Sequence, residues 1–158
     1  VGLAKAGAVF CGEERTIPEL LAYFDGIGSG DAFRRMCILD AIILNTDRHY
    51  GNFGVLFDTE TLEVRGMAPV FDHNRSLLSE LDNDQLADPS WYLRRCKPRL
   101  GQDFIRNAKG LLTDDIRRDL MELKDFTFQQ HPRIHAEQER LDSLSRIVQG
   151  RIHLILSD

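Results

Sequence analysis

The sequence predicts a mainly α-helical domain with one small β-hairpin, on three observations. Apolar residues recur at three- and four-residue spacing over two long stretches, Ala32 to Leu44 and Glu137 to Leu156. Only one pair of strand-like runs faces a turn: Phe53 to Phe57, then Asp58-Thr59-Glu60-Thr61, then Leu62 to Met67. Finally, 42% apolar and 28% charged residues over 158 positions suit one folded domain, 1–158, or one lobe of a larger protein.

Along the chain, Gly7 to Cys11 is a short apolar patch, read as a strand or an extended connector. Ile17 to Phe24 reads as a helix, with Thr16 as N-cap, Pro18 early and Gly26 past the end; Leu20, Leu21 and Phe24 form its buried side. Gly26-Ile27-Gly28-Ser29-Gly30 has the glycines of a phosphate loop. No Lys-Ser or Lys-Thr follows and no clear strand precedes, so it reads as a flexible turn, with Asp31 or Ser29 capping the next helix.

That helix places Phe33, Met36, Cys37, Ala41 and Leu44 on one face, with Ile38, Leu39, Ile42 and Ile43 filling the other, as in a central buried helix. Asp40 interrupts the run. An unpaired carboxylate there costs several kcal/mol, about what an ion needs to leave water, so two readings stand: it accepts bonds from the backbone or Arg48 of the following loop, or it lies at a packing gap.

Residues 73–102 form a long polar stretch, either an activation or substrate-binding segment in which a serine is phosphorylated, or a surface connection with a short helix near Leu93. The rest is helical: Thr113 caps a segment with Ile116, Leu120 and Leu123 on one face, and Leu141, Leu144, Val148, Ile152 and Ile155 stripe the last helix. No repeat or low-complexity tract occurs.

The net charge of −5 implies no nucleic-acid surface; the local cluster Arg94, Arg95, Lys97 and Arg99 reads as a solvated loop. No apolar run approaches the roughly 20 residues that span a bilayer and no signal-peptide pattern opens the chain, so a cytoplasmic location is expected, with no membrane partner. Three distant cysteines make no CxxC pair, and Cys37 reads as a small core hydrophobe. His131 and His135 have a metal-like spacing, but Pro132 between them argues against a helical metal site.

The chemistry gathers at Asn45-Thr46-Asp47-Arg48-His49-Tyr50-Gly51-Asn52 and at Asp72 beyond the hairpin. A carboxylate and an amide five residues apart in a loop after a buried helix, with a second carboxylate returned by a hairpin, suit phosphoryl transfer. Asp47 takes or orients the proton of an attacking hydroxyl, while Asn52 and Asp72 offer hard oxygen ligands to Mg2+. Arg48 and His49 would hydrogen-bond Asp72 or neutralise the acids. On spacing alone, Asp47, Arg48 and Asn52 as plain turn residues fit equally well.

The same stretch, continued to Val55 and followed by Ala68-Pro69-Val70-Phe71-Asp72, resembles the catalytic and metal-binding loops of HipA-like kinases. Thr46, Asp47, His49 and Asn52 match that family's Thr-Asp-x-His-x-x-Asn loop, and Phe71 replaces the usual Tyr before Asp72. The likeness covers about residues 36 to 72. It implies a protein-kinase-like C-terminal lobe, Ser/Thr kinase activity with ATP as cosubstrate and Mg2+, a protein substrate with a Ser/Thr acceptor, and an antitoxin as a possible partner. It assigns Asp47, Arg48 and His49 to catalysis and Asn52 and Asp72 to metal and cofactor binding. The Asp-Arg-His-x-x-Asn order is also similar to phosphoinositide kinases, but those carry Asp-Phe-Gly where this chain has Asp72-His73-Asn74.

Kinases of this kind close ATP under a smaller lobe with a strand lysine. Lys5 is the only lysine before the catalytic helix, and the chain starts at Val1 without Met, so the expectation is a C-lobe of a longer kinase, inactive without its N-lobe. The alternative is a non-catalytic, kinase-like module that binds a partner.

Overall fold

The computed structural model describes residues 1–157. The strand β1 (Gly2–Lys5) leads into one helical turn, α1 (Ala6–Val9), and then into α2 (Ile17–Gly26). Thr16 and Glu19 form a reciprocal capping box: the Thr16 amide donates to the Glu19 carboxylate at 2.8 Å, and the Glu19 amide to the Thr16 hydroxyl at 3.5 Å. Leu20 and Phe24 are buried as the spacing predicts, while Leu21 is half-buried.

After Gly28, whose φ of +70° needs a residue without Cβ strain, α3 (Gly30–Ile43) starts. Neither expected cap donates or accepts there. The Ser29 hydroxyl instead accepts from the Met67 amide at 3.0 Å, and Asp31 pairs with Arg35 at 2.7 Å. Phe33, Met36, Cys37, Ile38, Ala41 and Ile42 are all buried, and α3 packs against α2, α6 (Phe104–Leu111) and α8 (Gln138–Leu156). Burial raises the Cys37 thiol far above its ordinary value, so it behaves as the expected core hydrophobe.

The hairpin forms as β2 (Gly54–Phe57) and β3 (Val64–Met67), antiparallel with an irregularity at Leu56/Phe57. It is two-thirds of a sheet. The third strand is β1, paired antiparallel to β2 with Lys5 opposite Gly54 and Gly2 opposite Phe57. The sequence reading is corrected here: the N-terminal strand lies at 2–5, and the apolar patch starting at Gly7 begins as helix. Gly2-Leu3-Ala4-Lys5 carries no run of β-branched or aromatic residues, and its partner edge lies some fifty residues onward, so no local pattern marks it.

Phe24 and Phe33 stack with centroids 5.0 Å apart, and Phe53 tilts against both at 6.3 and 6.5 Å, joining α2, α3 and the start of the hairpin. Beyond the hairpin lie α4 (Asn83–Ala87) and α5 (Ser90–Leu93), the latter at the short helix expected near Leu93; α7 (Asp114–Glu122) is capped by Thr113. Leu123, expected on the buried face with Ile116 and Leu120, ends α7 and is 45% exposed, because the helix stops before that position completes the stripe. Among the described residues no helix is long and apolar enough to cross a membrane.

Gly54 is where the sheet depends on a missing side chain. A Cβ there would collide with the Ala4 carbonyl and stand 2.9 Å from Lys5 Cα, backbone that cannot step aside without unpairing β1. Gly54→Ala is therefore expected to cost about 1–3 kcal/mol in urea unfolding, as overpacking does. Amide exchange should quicken across residues 2–5 first; unchanged exchange there would show that β1 is not held in this register.

Candidate phosphoryl-transfer site

The loop after α3 starts from a forced stop. Leu44 adopts φ 55°, ψ 47°, the left-handed conformation that ends helices, while its apolar side chain stays buried. The chain thus turns off the helix one turn after Asp40, and the buried carboxylate faces the loop it organises. Asn45 is wholly buried: its Nδ2 donates to Asp40 Oδ1 at 2.9 Å, and its Oδ1 accepts from the Asp47 amide at 3.1 Å.

Arg48 fills the centre, 1% exposed. Its Nε donates to Asp40 Oδ2 at 2.8 Å and Nη2 to Asp40 Oδ1 at 2.9 Å, a two-pronged ion pair. Nη1 donates to the carbonyls of Asn52 at 2.6 Å and Phe71 at 2.7 Å, and Nη2 also reaches His73 Nε2 at 2.9 Å. All five guanidinium N–H donors are thereby used, which is what a buried arginine requires. The expected Asp40–Arg48 link is present. Of the two roles expected of Arg48, a bond to Asp72 or neutralising the acids, the bond to Asp72 does not form: Arg48 pairs with the acid Asp40 and grips the carbonyl just before Asp72.

Because one nitrogen binds both carbonyls, the backbones at Asn52 and Phe71–Asp72 meet. Asn52 is buried; its Nδ2 donates to the Asp47 carbonyl at 2.9 Å, and among the described residues no donor reaches its Oδ1. Asp72 is exposed with φ 57°, a left-handed conformation uncommon outside glycine and concentrated at working sites. Its carboxylate makes no ion pair among the described residues. Asn52 is thus bonded to the Asp47 carbonyl, and its backbone lies beside the carbonyl just before Asp72.

The Asp47 carboxylate is 19% exposed, with Arg99 Nε at 3.2 Å from Oδ1 and His49 Nε2 at 3.9 Å from Oδ2. The Gly51 amide donates to His49 Nδ1 at 2.9 Å, so a neutral His49 carries its proton on Nε2, the nitrogen toward Asp47. His49 therefore neighbours the acid Asp47, as one of its two expected roles requires, and not Asp72.

Three contributors escaped the sequence reading. Asn45 had only its position after the helix as a signal, and His73 only its place beside Asp72. Arg99 belongs to the basic cluster read as a solvated loop; Arg94, Arg95 and Lys97 are exposed accordingly, but Arg99 turns to Asp47.

Oxygen ligands fit a hard cation. Mg2+ keeps several waters and substrate oxygens and takes one or two protein oxygens, which Asn52 Oδ1 and Asp72 can offer. Among the described residues no three His, Cys, Asp or Glu side chains cluster as a metal site, His131 and His135 included.

No protein-family model matches the sequence, and no curated protein matches it. The fold is similar to the crystal structure of a Helicobacter pylori proinflammatory kinase, CtkA, with a TM-score of 0.65 and 15% sequence identity, over 98% of this chain and 70% of that one. At that identity the likeness shows a kinase-like fold.

Two outcomes test this geometry. Arg48→Ala leaves Asp40 buried without its cation and should cost about 3–5 kcal/mol in chemical unfolding; a loss below about 1 kcal/mol, the size of a surface pair, would contradict the buried network. His73 is held below its ordinary value of 6.5 by burial, then by the Arg48 charge, against opposing pulls from Asp40 and Asp72. Only its neutral ring accepts from Arg48, so its stabilisation is complete above 6.5 and fades as pH falls through the lowered value. Unfolding free energies measured across that range should decline less steeply in His73→Gln.

Proposed function

We propose that this chain is the catalytic lobe of an ATP- and Mg2+-dependent Ser/Thr protein kinase. The observation that carries the reading is the division of the Asn52 amide: its nitrogen is fixed on the Asp47 carbonyl, and its oxygen is left without a donor beside the backbone that presents Asp72. That arrangement suits a metal ligand oriented against a catalytic base. The kinase-like fold supports the same reading.

In this role Asp47 accepts a hydrogen bond from the acceptor hydroxyl and receives its proton as the oxygen attacks. Arg99 and His49, on either carboxylate oxygen, hold the Asp47 side chain in place. Asn52 and Asp72 would hold Mg2+, which offsets charge on the transferred phosphoryl group. Arg48 keeps the three residues in register without touching substrate. The partner lobe that covers ATP is proposed to lie outside these residues: Lys5 is the sole lysine before α3, and 30% of the CtkA chain has no counterpart here.

The test is phosphoryl transfer from ATP to Ser/Thr protein acceptors by the protein carrying its small lobe. Asp47→Ala should lower kcat by about 10²-fold or more, the usual worth of a general base, with an unchanged melting temperature. Asn52→Ala and Asp72→Ala should raise the Mg2+ concentration needed for half-maximal rate. Undiminished transfer by Asp47→Ala would overturn the assignment.

A further inference from the structure

A cleft of about 1020 Å³ opens beside the candidate base. Its walls are the start of α2, the catalytic loop at His49 and Tyr50, residues 99–102, and α6 from Arg106 to Leu111. Two features decide what it fits. First, it reaches the reacting end of the site: Arg99 and His49 line it, and both approach the Asp47 carboxylate. Second, its charge opposes that of the chain. Arg15, Arg99 and Arg106 line it against the single acid Glu14, in a chain of net charge −5. Arg15 is partly committed, pairing with Glu13 at 3.5 Å and lying over the Phe10 ring at 5.0 Å. Arg106 is exposed and makes no ion pair among the described residues. Arg99 is 56% exposed at its side chain, and its contact with Asp47 is made by Nε.

We propose that this cleft binds the acceptor segment of the protein substrate, and that it selects segments with carboxylates flanking the acceptor Ser or Thr. The proposal rests on the kinase reading, which makes Asp47 the end of the cleft where the hydroxyl must arrive. Arg99 then meets a carboxylate close to the acceptor, because it is already within bonding distance of the base. Arg106, on α6, meets one farther along the segment. Apolar Ile17 and Leu111 line the cleft for the side chains between. Exposed arginines give such a surface specificity and salt dependence more than raw affinity.

The experiment is fluorescence-anisotropy titration of the 158-residue chain with three labelled peptides of one length, each with a central Ser flanked by Glu, Gln or Lys, without nucleotide and at low and physiological salt. The Glu peptide should bind about tenfold or more tighter than the Gln peptide, as a pair of charge-assisted contacts allows, and lose that margin as salt rises. Arg106→Glu, and separately the milder Arg106→Gln, should at least halve the preference by removing one of its two carboxylate contacts; Arg118→Glu, on α7 outside the cleft, should leave it. Equal affinity for Glu and Gln peptides, tighter binding of the Lys peptide, or a preference untouched by both Arg106 variants would overturn the proposal. So would a single-stranded oligonucleotide that displaces the Glu peptide with equal affinity, since the cleft would then read charge alone. The two readings fail separately: phosphorylation of all three peptides at equal rates removes the acidic selection and leaves the kinase. Selective, Arg106-dependent binding by the chain, with no phosphoryl transfer to any of the three peptides by the protein carrying its small lobe, leaves the cleft and removes the kinase.

Discussion

The ion pair of Asp40 and Arg48 is the constraint on which the site depends. Burying two charges is expensive, and a pair alone recovers the loss poorly. Here the remaining hydrogen-bonding capacity is also met: the other Arg48 donors go to two carbonyls and a histidine, and Asp40 takes a further bond from Asn45. Such a network contributes geometry more than stability. Arg48 has a planar fork with fixed directions, so one side chain sets where the loop after α3, the start of the hairpin and the strand-end before Asp72 stand relative to each other. A lysine in its place offers three donors and no plane, and could not serve four partners.

The neighbouring groups inherit their positions from this hub. The left-handed Asp72 is tolerated because the residues on either side of it are held, Phe71 by its carbonyl and His73 by its ring. Asn52 is pinned at its amide nitrogen, its backbone amide and its carbonyl, so its oxygen has a fixed direction. A second tie runs from the segment after Asp72 back to the end of α3, where the Leu77 amide donates to the Ile43 carbonyl at 2.6 Å and the Thr46 amide to the Arg75 carbonyl at 3.2 Å. Asn52 and Asp72, the proposed ligands, are thus presented by a preorganised frame while Asp72 itself stays open to solvent.

What could be read in the sequence follows from how far each signal acts along the chain. Asp40 was legible because a carboxylate within an apolar helix must find a partner, and Arg48 is the first cation in the loop that follows. The hairpin and α8 were legible from local periodicity. Thr16 and Thr113 were legible as caps because capping is decided within three residues. The strand β1 was not, because its pairing energy resides in a distant edge and in the absence of a side chain at Gly54. Arg99 was not legible either: nothing local separates it from Arg94 or Lys97, and only the path of 73–102 across the site brings it to Asp47. Ser29 shows the limit of capping rules, since its hydroxyl serves β3 and not its own helix.

The most direct test of the hub and of the proposed metal ligands is paramagnetic broadening by trace Mn2+, standing in for Mg2+, on the isotopically labelled chain. Weak binding suffices for this observable. The side-chain amide of Asn52 and the backbone amides of Asp72 and His73 should broaden together, ahead of all other resonances. Broadening confined to exposed acids such as Asp114 and Asp115, with Asn52 and Asp72 left sharp, would contradict the account.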